Sequence, residues 1–94
     1  MDTYVRKNPD RPRYELVADD QVVGVADYRE VGDRLVVHHT EIARSMRGTG
    51  KGAVLVKGML DAVRAEGKTI VPQCWFVAEF IDLHPEYADL VAPR

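Results

Sequence analysis

Arg47-Gly48-Thr49-Gly50-Lys51-Gly52 is the stretch on which the reading of this chain turns. Its glycines crowd the start of a segment, Lys51 to Glu66, in which Leu55, Met59, Ala62 and Val63 recur at helical spacing with Lys57, Asp61 and Arg64 opposite. A glycine inside a helix costs up to about 1 kcal/mol relative to alanine, so stability alone does not put three of them there. Glycines expose amide N–H groups, a helix N-terminus carries the positive end of its dipole, and Arg44, Arg47 and Lys51 add charge. The guest that suits this arrangement is a phosphate or diphosphate. The plainer reading is a mobile turn with a glycine-rich helix cap.

Spacing narrows the choice of ligand. A P-loop needs a glycine five residues before Gly50, where Ser45 stands, and a hydroxyl after Lys51, where Gly52 stands, so that template fails. Gly48, Gly50 and Ala53 satisfy G-x-G-x-x-A superficially. No acidic residue closes the following strand to hold a ribose, and the chain is too short for a dinucleotide fold.

Working outward, Arg34 to Ile42 alternates as a strand, with Leu35, Val37, His39 and Glu41 assigned to one face and Val36, His38, Thr40 and Ile42 to the other. Before it, Tyr14 to Ala18 and Val22 to Tyr28 form a hairpin around Asp19, Asp20 and Gln21, and Val31, Gly32 and Asp33 make the next turn. Residues 1–12 carry Asn8, Pro9, Asp10 and Pro12 and read as an irregular lead-in with a short strand around Tyr4 to Val5. After the helix, Gly67 suits a left-handed C-terminal position, Thr69 to Cys74 reads as a strand, and Pro72 forces it to an edge, a splay or an early end. Trp75 to Leu83 is a second helix, and Pro85 opens a last short one reaching Val91. Gly58, in mid-helix, either permits close packing on the sheet or is merely tolerated.

Arg47-x-x-Gly50-x-Gly52 is also the R/Q-x-x-G-x-G/A pattern of the GCN5-related N-acetyltransferases. The resemblance extends over His39-Thr40-Glu41-Ile42, Val71-Pro72-Gln73-Cys74-Trp75-Phe76-Val77 and His84-Pro85-Glu86-Tyr87, and so over nearly the whole chain. It resembles in particular the small stand-alone acetyltransferase-like family sometimes called YjdJ-type. This implies a minimal α/β (α+β) fold: a mixed, mostly antiparallel sheet splayed between two parallel strands, with two to three helices and acetyl-coenzyme A wedged in the splay.

Acyl transfer to an amine sets the chemistry to look for. An amine of pKa near 10.4 costs about 4 to 5 kcal/mol to hold neutral at pH 7, so a positioned base is valuable. Glu41 and His39, just before the glycine loop, are the candidates for that base. Cys74 ends the strand after the helix; if that strand runs parallel to Arg34–Ile42, Glu41 and Cys74 open onto one crevice. The resemblance implies that Cys74 protonates the departing thiolate, carries the acetyl group briefly, or walls the pocket, and direct attack with Cys74 as acid or wall is favoured. Taken without the resemblance, a strand histidine is more often a hydrogen-bonded core residue, a strand-end glutamate faces solvent, and a lone cysteine is a small hydrophobe. Cofactor contacts are expected from backbone groups of Ile42 and Ala43 along the pantetheine arm. For the diphosphate they are expected from Arg47, Gly48, Thr49, Gly50, Lys51, Gly52 and Ala53. Trp75, Phe76 and Phe80 read as core or pocket wall, Tyr87 as an anchor for the last segment, and His84 as the residue leading into the last helix.

Composition agrees with this range. Ninety-four residues with 13 Lys plus Arg, 15 Asp plus Glu and 46% apolar residues make one ordinary domain, residues 1–94, with no basic field for nucleic acid. No run approaches the ~20 apolar residues of a membrane span, and the start lacks the order of a signal peptide. The expected setting is cytoplasmic, without membrane or nucleic-acid partners. The single cysteine excludes an internal disulfide or a cysteine-rich zinc site, and His38 and His39, placed on opposite faces, speak against a two-histidine site; no metal is expected. The expected function is an acetyl-coenzyme A-dependent N-acetyltransferase acting on a protein lysine, a protein N-terminus or a small amine, as a monomer or weak dimer. The rival is a non-catalytic acyl-coenzyme A binding or sensing module, and a third is a small protein-interaction domain that keeps only the scaffold.

Overall fold

The computed structural model describes residues 2–93. Five strands, β1 (Thr3–Lys7), β2 (Arg13–Ala18), β3 (Gln21–Val31), β4 (Arg34–Ile42) and β5 (Thr69–Pro72), form one sheet in sequence order. The first three pairings are antiparallel and β4–β5 is parallel. Helix α1 (Lys51–Ala65) makes the crossover between the parallel strands, and α2 (Trp75–Leu83) and a 3-10 helix (Pro85–Leu90) follow. This is the mixed, mostly antiparallel sheet that the family resemblance implies.

Local chemistry explains each boundary. Asp19 and Asp20 link β2 to β3 with φ of 49° and 65°, both left-handed as a two-residue type I′ turn demands, and aspartate tolerates that region better than most residues. Gly67 takes φ 69° at the end of α1; its N–H donates to the Arg64 carbonyl and that of Lys68 to the Val63 carbonyl, a Schellman closure. The lead-in is more ordered than its composition suggests. β1 pairs along its whole length with β2, longer than the Tyr4–Val5 expected, and Asn8 Oδ1 accepts the N–H groups of Asp10 and Arg11 to turn the chain.

The helices share one core on one side of the sheet: Leu55, Met59, Leu60 and Val63 of α1 with Val77, Phe80 and Ile81 of α2, over Tyr14, Leu16, Ala26, Tyr28, Leu35 and Val37. Tyr87 is buried there and its hydroxyl donates to Asp61 Oδ1 at 2.7 Å, fixing the last segment to α1.

The face assignment of β4 needs correction. Asp27 pairs with His39, but the next residue, Tyr28, pairs with Val37, so β4 holds one residue more than β3 and His38 is the bulged one. Alternation therefore slips by one at His38. Thr40 and Ile42, opposite Ala26 and Gly24, continue the helix-covered face of Leu35 and Val37, whereas His39 and Glu41, opposite Asp27 and Val25, lie on the other face.

Candidate functional site

The pairing of β5 with β4 ends at Val37 and Pro72, and the last bond between the two segments runs from the Cys74 N–H to the Val37 carbonyl at 3.0 Å. Pro72 has no N–H to extend the ladder, so the chain turns away into α2 while β4 continues from His38 to Ile42 paired with β3 only. Between them opens a cleft of about 690 Å³. His39 and Glu41 reach it from the outer face, Gly52 and Leu55 from α1, and Cys74, Trp75 and Phe76 from the start of α2. The three residues expected to carry chemistry, Glu41, His39 and Cys74, thus line one cavity.

Beside it, sharing Ile42, Arg47, Gly52 and Phe76, is a niche of about 300 Å³ bounded also by Met46, Gly48, Gly50, Lys51 and Ala53. Gly48 and Gly50 adopt φ of 79° and 80°, and Gly50 is the N-cap of α1 without any side-chain cap. Among the described residues, the N–H groups of Gly50, Lys51, Gly52 and Ala53 meet no protein acceptor, while the Val54 N–H already bonds to the Gly50 carbonyl. A β-carbon at Gly52 would stand 2.8 Å from Phe76 Cζ, so glycine here lets the ring pack directly against the start of α1. Four unpaired donors, a dipole end and the charges of Arg47 and Lys51 can hold a diphosphate.

Two expected contributors sit differently. The Ala43 N–H donates to the Val23 carbonyl at 2.7 Å and its carbonyl accepts from Met46, so its backbone is engaged within the protein. Thr49 is exposed but likewise engaged within the protein, its N–H and hydroxyl both donating to the Met46 carbonyl. Arg47 spans cleft and niche, with Nε donating to the Ile42 carbonyl at 3.2 Å.

Cys74 is partly buried at the N-cap of α2, with Sγ 3.3 Å from Thr40 Oγ1. Burial pushes the thiol up, but the Thr40 hydroxyl and the N–H groups of Phe76 and Val77 outweigh it, leaving the pKa below the usual thiol value. Sequence reading missed Thr40 because it assumed unbroken alternation. Trp75, expected as core or pocket wall, is 72% exposed at the cleft rim.

The model of the GCN5-related N-acetyl-transferase family matches residues 13–90. The chain belongs to this family. Among curated proteins none matches. Two of the solved structures that match this chain in fold illustrate the likeness. One is the ribosomal-protein-S18-alanine N-acetyltransferase of Escherichia coli, with 13% identity and a TM-score of 0.63, covering 82% of this chain and 54% of that one. The other is a GCN5-like protein of N-acetyltransferase type from Staphylococcus aureus, solved by NMR, with 16% identity and a TM-score of 0.65, covering 96% and 88%. The chain thus spans about half the length of the E. coli enzyme. No helix among the described residues is long and apolar enough to cross a membrane.

Proposed function

We propose that this chain is an acetyl-coenzyme A-dependent N-acetyltransferase that moves the acetyl group to an amine by direct attack. The observation that carries this reading is the adjacency of niche and cleft, which share Ile42, Arg47, Gly52 and Phe76: N–H groups of Gly50 to Ala53, unpaired among the described residues, border the gap where β4 leaves β5. Family membership supports the same conclusion. The Gly50–Ala53 backbone with Arg47 and Lys51 would hold the diphosphate, and the free edge of β4 before Ile42 the arm that follows. The cofactor supplies an activated acyl group on a good sulfur leaving group.

The remaining work falls to side chains of this chain. Glu41 or His39 takes a proton from the attacking amine, replacing the 4 to 5 kcal/mol that free deprotonation costs at pH 7. As nitrogen bonds to the acyl carbon and the carbon–sulfur bond breaks, Cys74 gives its proton to the leaving sulfur and is reprotonated from solvent. A thiol of lowered pKa is the better donor for that step. Acceptors fitting this site are a protein lysine, a protein N-terminus or a small amine, in a cytoplasmic setting.

The test is coenzyme A release with a panel of amines. Wild type is expected to release it only when an amine is present, and Glu41→Gln to be slower by about 10²-fold. Tight coenzyme A binding without turnover on any acceptor would replace this reading with a non-catalytic acyl-coenzyme A module.

A further inference from the structure

Thr40 and Cys74 stand on opposite walls of the splay, Thr40 on the part of β4 beyond its pairing with β5 and Cys74 ahead of α2, and their side chains meet at 3.3 Å. The meeting depends on the bulge at His38: with unbroken alternation Thr40 would face the other side of the sheet and one of its strand neighbours would face Cys74. Among the described residues the Thr40 hydroxyl has no other side-chain or backbone partner. We propose that Thr40 is a positioning residue for Cys74, its Oγ1–H donating to Sγ and holding the sulfur in the cleft as an acceptor. This rests on the acetyl-transfer reading, in which Cys74 donates a proton to the leaving sulfur and must recover a thiolate-tolerant site afterwards.

The direction of the bond follows from its surroundings. The N–H groups of Phe76 and Val77 at the start of α2 also favour negative charge on the sulfur, and a hydroxyl is a stronger donor than a thiol. The charged or titratable groups lining the cleft around it are His38, His39 and Glu41 from β4 and Arg47 from the loop before α1; α1 and α2 contribute uncharged side chains only. Replacing Thr40 leaves all four in place, so a change in the thiol's titration reports the hydroxyl.

Cys74 is the only cysteine, so iodoacetamide alkylation followed across pH reads this thiol alone. Thr40→Val is expected to raise the midpoint by roughly one pH unit, and Thr40→Ala to move it the same way. Thr40→Ser is expected to restore it. In turnover, Thr40→Val should lower kcat while leaving KM for acetyl-coenzyme A unchanged, again with rescue by serine. An unmoved midpoint in both Thr40→Val and Thr40→Ala, or failure of serine to restore it, overturns the assignment. If wild type releases no coenzyme A, the acetyl-transfer reading fails while the alkylation profile still decides the role of Thr40.

Discussion

Glu15 is the one charged side chain buried among the described residues, at 6% exposure, although it sits on the face of β2 away from the helices. Asn8 Nδ2 donates to one carboxylate oxygen and Arg6 Nε to the other, and these bonds hold its pKa below the usual glutamate value, Asn8 first and against the opposing effect of burial. A carboxylate depressed on folding contributes stability that is present above its unfolded pKa of about 4.3 and is lost as pH falls through the folded value. Glu15→Gln is therefore expected to cost about 1 to 2 kcal/mol at pH 7 in urea denaturation. The difference from wild type should shrink at pH 3, and a constant difference at both pH values would refute the linkage. The alternation of Tyr14, Leu16 and Ala18 made the outward direction of Glu15 legible. Its burial was not, because the cover comes from Arg6 and Asn8, in a segment whose prolines and charges read as irregular.

At the scale of elements, α1 carries two glycines that look alike in sequence and differ in structure. Gly52 faces the far edge of the Phe76 ring, which can swing, whereas a β-carbon at Gly58 would lie 2.7 Å from Val5 Cβ, a short branched side chain held on paired β1. Gly58→Ala is thus expected to destabilise by about 1 to 2 kcal/mol despite alanine's better helix propensity, because overpacking outweighs that gain. Val5→Ala in the same chain should recover most of the loss, and a stabilised Gly58→Ala in thermal melts would contradict the packing. Gly52→Glu, in contrast, should leave the melting temperature within a few degrees while lowering coenzyme A affinity by at least about tenfold, since it fills the niche with like charge. The elements themselves were readable because period-two strands, a helical stripe and Gly67 punctuate the chain clearly. The face on which His39, Thr40 and Glu41 act was not, since a bulge inserts its extra residue without any compositional mark at His38 and depends on how β3 and β4 pair.

The whole molecule has one layer of helices on one sheet, so the splay is bordered by a single core and any ligand in it touches the elements that hold the fold together. Binding should then appear in global stability. A ligand at 100 times its dissociation constant adds about 2.7 kcal/mol to the native state, and a domain of this size moves by roughly 4 to 8 °C for each kcal/mol. Coenzyme A at that ratio, with the constant measured near the transition, should raise the melting temperature by roughly 10 to 20 °C in wild type. At the same concentration Gly52→Glu should show almost no rise, because its niche no longer accepts the diphosphate, although Phe76 and the rest of the core remain. Cys74→Ala should retain nearly the full rise, since the thiol lies in the cleft and not among the N–H groups of Gly50 to Ala53. An equal rise in wild type and Gly52→Glu would place the diphosphate elsewhere and remove the link between the glycine loop and the cleft. A large loss in Cys74→Ala alone would shift the main binding energy from the niche to the acyl end.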